Sequence, residues 1–162
     1  MNARAVQALG LALLIAQGCS SGYQRAYDRE TQKLQAQAQA EDTRDKAEYA
    51  KASRYAAVIY FDTGSAVVGK DGERELQWFV DQMQPYPKAN ILVQGFADTT
   101  GSEDKNKTLS EDRARAVAAV LTQKGIDTSR IEARGYGIDS PAAANATPKG
   151  RNRNRRVEVT VR

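Results

Sequence analysis

Asp98 closes an apolar run, Asn106 follows in what reads as a polar loop, and Arg113 stands on the first turn expected for the next helix, within Leu109-Ser110-Glu111-Asp112-Arg113-Ala114. That spacing offers one carboxylate and one guanidinium to a common pocket. A small zwitterion carries an ammonium and a carboxylate on neighbouring atoms, so an acid and a base held a few ångströms apart complement it through charge-assisted hydrogen bonds. The arrangement points to binding rather than turnover. Taken alone, an Asp after a strand is most often a turn cap. Helical spacing sets Arg113 and Arg115 on either side of one apolar face, so periodicity leaves the choice between them open.

The rest of the composition argues against catalysis. The chain contains no His and one Cys, which removes the Ser-His-Asp triad, the Cys-His pair and the His-based zinc site. Glu103 and Asp104 could in principle act on a glycan as paired carboxylates, but adjacent exposed acids read as solvated loop. The expectation is a non-enzyme with no metal and no cofactor.

The elements that would position these residues can be read from periodicity. With 162 residues and 41% hydrophobic content, the chain suits one globular domain plus extensions. Ala57 to Phe61 reads as a strand, with Asp62-Thr63-Gly64-Ser65 as a turn. A helix is expected from about Asp71 to Gln84, where Leu76, Phe79, Val80 and Met83 recur at helical spacing before Pro85 and Pro87. Ile91 to Ala97 reads as a central strand covered on both faces. A second helix is expected from about Leu109 to Lys124, with Ser110 as N-cap, Ala114, Val117, Ala118 and Leu121 inward, and Gly125 at its end. Arg113 in its first turn would sit against the helix dipole, a cost that suggests a role elsewhere. Arg130 to Gly137 and Arg156 to Val161 read as the third and fourth strands. The domain is therefore expected to be α+β, a mixed four-stranded sheet with two main helices packed on it.

The N-terminal third differs in composition. Residues 1–18 combine Met1, Arg4 and the apolar stretch Leu9 to Ala16, too short to span a bilayer and fitting an export signal. Gly18 precedes Cys19, and a lone Cys cannot form an intramolecular disulfide. The pattern resembles a bacterial lipoprotein lipobox, in which the Cys is acylated and becomes the mature N-terminus, although Ala16 and Gln17 stand where an aliphatic and a small residue are usual. Ordinary cleavage leaving a free thiol is the alternative. Ser20, a non-acidic residue after the Cys, goes with transfer to the outer membrane in lipoproteins of this type. Acyl chains would anchor the protein without spanning the membrane.

From residue 19 to 55 the chain is rich in Ala, Gln and charges of both signs, including Gln35-Ala36-Gln37-Ala38-Gln39-Ala40. Leu34 is the only Leu, Ile, Val, Met or Phe from Tyr23 to Tyr55. There is no heptad and no stripe to form a core, so the segment reads as a polar tether, helical or flexible, rather than a coiled coil. The globular part is expected over residues 56–162.

The segment from Phe61 to Val161 resembles the OmpA-like peptidoglycan-binding domain of the OmpA C-terminus, Pal and MotB. The residues that carry the resemblance are Gly95, Asp98, Gly101, Asn106, Leu109-Ser110, Arg113-Ala114, Val117 and Leu121, continued by Gly135-Tyr136-Gly137, Pro141, Asn145 and Asn154-Arg155-Arg156-Val157. It implies a βαβαββ sandwich that binds the diaminopimelate of the peptidoglycan stem peptide. The Asp matching Asp98 would meet the ammonium and the Arg matching Arg113 the carboxylate, while Asn106 would orient the ligand or the loop. Arg155 matches a family Arg near the same pocket. Phe96-Ala97-Asp98 departs from the usual His-Thr-Asp and removes one hydroxyl.

The expectation that follows is an outer-membrane lipoprotein whose periplasmic domain holds diaminopimelate-type peptidoglycan noncovalently. The alternative is a Pal-type adaptor acting mainly through periplasmic protein partners. The basic stretch Lys149 to Arg156 could mark a nucleic-acid patch, but an exported chain rarely meets nucleic acid. Removing the signal lowers the formal charge of +4 by Arg4 alone. Packing at the sheet end and attraction to an anionic wall polymer are the preferred reading.

Overall fold

The structure, a computed structural model, describes residues 21–162. The expected signal segment and Cys19 lie outside these residues. Helix α1, Ser21–Ala52, is formed by the Ala-, Gln- and charge-rich segment. Its residues favour helix without offering an apolar stripe, and Leu34 is exposed. At 1.5 Å per residue, 32 helical residues span about 48 Å. No described helix is long and apolar enough to cross a membrane.

The chain divides into two compact units, with the boundary between Arg44 and Asp45. The second unit therefore begins inside α1, earlier than the boundary expected near residue 56. Ala52 is fully buried in its core, Tyr49 donates its hydroxyl to the Val161 carbonyl at 3.5 Å, and Lys88 pairs with Asp45 at 2.9 Å. A small Ala among charges carries almost no hydrophobic signal, so composition does not mark the burial of Ala52.

The remaining elements follow in the order β1 (Ala56–Tyr60), α2 (Lys70–Met83), β2 (Ile91–Gly95), α3 (Glu103–Gln123), a 3₁₀ turn (Thr128–Arg130), β3 (Ile131–Gly135), α4 (Pro148–Asn154) and β4 (Arg156–Val161). The sheet order is β1-β4-β2-β3. β4 runs antiparallel to both β1 and β2, and β2 pairs parallel with β3. A parallel pair needs a crossover long enough to return the chain to the same end, and α3 provides it. This is the mixed four-stranded sheet expected from the pattern.

The core occupies one face. Ile59, Val157, Val159, Val93 and Ile91 meet Leu76, Phe79, Val80 and Met83 of α2 and Ala114, Val117 and Leu121 of α3. On the opposite face Val58 and Tyr60 are exposed. β2 lies between β4 and β3, as expected, but it is not covered on both faces. Ile91, Val93 and Gly95 are buried while Leu92 and Gln94 are half-buried. Its apolar run reflects a central position in a sheet covered by helices on one side.

Two elements differ from the expectation. α3 starts at Glu103 with Ser102 as N-cap, well before Leu109. Gly101, at φ 95°, turns the chain into it, and Glu103 and Asp104 occupy the first turn, where acids suit the helix dipole. Asn106 is thus helical rather than in a loop, and Ser110 is a fully buried interior residue rather than a cap. Arg113 lies beyond the reach of the terminal dipole, so the expected electrostatic cost does not arise. The second difference is α4, a short helix inside the basic stretch. Thr147 caps it, accepting from the Gly150 N–H at 3.0 Å, and Pro148 opens it.

Candidate functional site

α3 is seated on the sheet by two glycines. A Cβ at Gly95 would lie 2.0 Å from the Ser110 carbonyl oxygen, and one at Gly135 would lie 2.4 Å from the Glu111 nitrogen. Ser110 uses the close approach: its hydroxyl donates to the Lys107 carbonyl at 2.7 Å and accepts from the Gly137 N–H at 2.8 Å. The first turns of α3 are thereby held against the C-terminal ends of β2 and β3.

At that end of the sheet is a cavity of about 390 Å³, lined by Asp98, Asn106, Arg113 and Arg155, together with the Thr63-Gly64 turn, Lys105 and Leu109. The four residues singled out from the sequence converge there. Asp98 leaves the end of β2 and is only 4% exposed. One carboxylate oxygen accepts the Thr100 N–H at 2.8 Å and the other accepts Arg155 Nη1 at 2.9 Å. Burial opposes ionisation of Asp98, but the hydrogen bonds from Arg155 and Thr100 outweigh it and hold the carboxyl below the usual carboxylate range. Asn106 donates from Nδ2 to the Thr100 carbonyl at 3.1 Å. It therefore fixes the loop that carries Asp98.

Arg113 is fully buried. Its Nε donates to the Ser65 carbonyl at 2.8 Å, Nη1 to Phe96 at 3.1 Å and Nη2 to Asp62 at 3.0 Å. The guanidinium carbon sits 5.3 Å from the centre of the Phe61 ring. One side chain thus ties the turn after β1 to the end of β2. Of five N–H donors three are used, which leaves two. Burial, then the like charge of Arg155, lowers its pKa to about 10, with Asp98 pulling the other way. Arg113 remains a cation at neutral pH. Arg115, which helical spacing could not distinguish from it, is exposed and pairs with Glu111 at 3.2 Å and Asp112 at 3.6 Å.

The direct partner of Asp98 is Arg155 rather than Arg113. Arg155 also donates from Nε to the Phe61 carbonyl at 3.0 Å and from Nη2 to Asn152 Oδ1 at 3.0 Å. Every branch of its fork is occupied, so the guanidinium is fixed.

Sequence reasoning did not single out Thr100, although an Asp followed two residues later by an available N–H is the signature of an Asx turn. Nor did it weigh Lys105, whose helical position only became readable once α3 was seen to start at Glu103. Asn145 and Asn154 entered only as parts of the family pattern. In the structure Asn145 Oδ1 accepts from the Thr99 N–H at 3.3 Å and from Asn154 Nδ2 at 2.9 Å, bracing the loop from outside. Glu103 and Asp104 are exposed and do not line the cavity.

With this geometry in place, comparison with known proteins is decisive: residues 60–155 match the OmpA family. The chain belongs to the OmpA family. Over 103 residues it is 40% identical to the probable lipoprotein YiaD of Escherichia coli K12, a match covering 64% of this chain and 47% of YiaD. It is 38% identical over 104 residues to the peptidoglycan-binding protein ArfA of Mycobacterium tuberculosis, covering 64% of this chain and 32% of ArfA. The match thus spans less than half the length of these relatives. The peptidoglycan-associated lipoprotein of Burkholderia pseudomallei superposes with a TM-score of 0.63 at 28% identity, over 65% of this chain and 90% of that one. The C-terminal domain of Helicobacter pylori MotB gives 0.61 at 28% identity, over 65% and 83%. The OmpA-like resemblance and fold read from the residue pattern are both borne out.

Proposed function

We propose that this OmpA-family domain holds peptidoglycan noncovalently through the diaminopimelate of the stem peptide. The observation that carries the reading is the convergence of one buried carboxylate and two fixed guanidinium groups on a single open cavity. Asp98 keeps acceptor capacity beyond the bonds from Thr100 and Arg155, and the ligand ammonium takes it. Arg113 keeps N–H donors for the ligand carboxylate. Asn106 acts through the Thr100 loop. The groups are already held by the protein's own hydrogen bonds, so binding needs little rearrangement. The names of ArfA and of the Burkholderia lipoprotein support a wall ligand.

In this proposal the domain is a binding module without turnover. Cys19 carries acyl chains in the outer membrane, residues 19–44 form the tether, and the domain reaches the wall from the periplasmic side. The name of YiaD supports the lipoprotein part. The test is co-sedimentation with purified diaminopimelate-type sacculi. The wild type should pellet with them and Asp98→Asn should stay largely in solution, while equal pelleting of the two would refute the site. Labelling of wild type, but not Cys19→Ser, by radioactive fatty acid tests the anchor.

A further inference from the structure

The charged residues lining the cavity are Asp98, Lys105, Arg113 and Arg155, one acid against three cations. Asp98 and Arg155 pair with each other. Arg113 is satisfied by uncharged carbonyls, and Lys105 has no hydrogen-bond or ion-pair partner among the described residues. Two positive charges therefore face the cavity without a carboxylate of the protein to balance them.

The position of Lys105 on α3 explains why it stays free. Its neighbours three and four residues away are Gly101, Ser102, Thr108 and Leu109, none of them acidic. Glu103 and Asp104 adjoin it in sequence but point to other faces of the helix and do not line the cavity. Leu109, half-buried, lines the same cavity as the exposed Lys105, and a lysine can lay its stem on such an apolar surface while keeping its ammonium in water. A zwitterionic centre has one ammonium and one carboxylate. With its ammonium on Asp98 and its carboxylate on Arg113, it leaves Lys105 uncompensated.

We propose that Lys105 is a specificity-determining residue that favours stem peptides carrying a second free carboxylate beside the zwitterionic centre. The inference rests on the diaminopimelate reading above and deepens it. The ligand class is a stem peptide that is acidic overall, and the discrimination is against peptides whose second carboxylate has been amidated. Amidation keeps the shape and removes the charge, so only a group that reads charge can tell the two apart. The cavity concentrates the field of the free ammonium on the incoming peptide.

The experiment titrates the full chain with two soluble diaminopimelate tripeptides, identical except that the carboxylates outside the zwitterionic centre are free in one and amidated in the other. An exposed ion pair corresponds to a preference of roughly threefold for the free acid at low salt, falling as salt is added. Lys105→Gln should bind both peptides within about a factor of 1.5, and Lys105→Arg should keep the preference. Lys105 is exposed, so neither substitution threatens the fold. A wild type that binds both peptides equally overturns the proposal while leaving wall binding intact, as does a Lys105→Gln variant that keeps the preference. Binding of neither peptide by the wild type overturns the diaminopimelate reading itself.

Discussion

Replacing Arg155 by Met keeps an unbranched stem of similar length and removes the cation that pairs with Asp98. In the native protein this is an ion pair of 2.9 Å between side chains that are 14% and 5% exposed. Breaking a buried pair by removing one partner costs about 3–5 kcal/mol, because the other charge is left in a poor solvent. Two features place Arg155→Met at the lower end. Asp98 keeps the Thr100 N–H, and loss of Arg155 relieves the repulsion that depresses the pKa of Arg113. The expected loss is about 3 kcal/mol at neutral pH, or roughly 1.5 M in the urea midpoint for a slope near 2 kcal/mol/M. The pH dependence is more diagnostic. In the wild type the Asp98 pKa lies below its ordinary value of 3.8, so its contribution is present above that value and is lost as pH falls through the folded pKa. Without Arg155 the carboxyl keeps the burial that raises its pKa and only the Thr100 hydrogen bonds that lower it, so its folded pKa rises from the wild-type position and the variant gains less stability than the wild type as pH increases. The gap between the two proteins should be widest near neutrality and close in acid. Urea denaturation followed by circular dichroism from about pH 7 down to about pH 3 measures it. A loss below about 0.5 kcal/mol, or a gap that does not change with pH, would refute the reasoning.

The remaining predictions concern the helix seat, the choice of arginine and the ligand. For Gly95→Ala, the contact of 2.0 Å with the Ser110 carbonyl must open by about 1.4 Å to reach an ordinary 3.4 Å, which should destabilise the domain by about 3 kcal/mol or prevent folding; a thermal melt within a degree of wild type would contradict the close approach. Arg115→Gln removes only exposed pairs with Glu111 and Asp112, so stability should stay within about 0.5 kcal/mol and sacculus binding should be unchanged, and a binding loss would reopen the choice between Arg113 and Arg115. With no His in the chain, and Arg113 near 10 and Asp98 lowered, sacculus binding should be nearly flat from about pH 6 to 9 and weaken only as Asp98 protonates in acid. A step near neutrality would contradict the assigned pair.

The parts of the fold that were legible in advance are those built on periodic burial. Leu76, Phe79, Val80 and Met83 marked α2, and Val157, Val159 and Val161 marked β4, because each element has one face in the core. The start of α3 was hidden for the opposite reason. Its opening residues, including Lys105 and Asn106, line a cavity rather than the core and so lack apolar spacing, and Ser110 looked like a cap because it is polar. Ser110 is instead buried where two glycines allow the helix to touch the strands. The candidate site residues were legible as types, an acid after a strand, an arginine within a helix and an arginine just before a strand. Their pairing was not: that Arg155 rather than Arg113 meets Asp98 depends on α4 and on the path of three backbone carbonyls, which no residue spacing encodes.

The proposed binding depends on one cavity reading an ammonium and a carboxylate together, and a lysine-containing stem peptide is the natural control because its side chain has the ammonium and lacks the adjoining carboxylate. Calorimetric titration of the protein with matched diaminopimelate and lysine tripeptides tests this directly. A site whose buried N–H donors would be left unpaired should bind the lysine peptide at least about tenfold more weakly. Equal affinity for the two peptides, or no binding of the diaminopimelate peptide, would contradict the account.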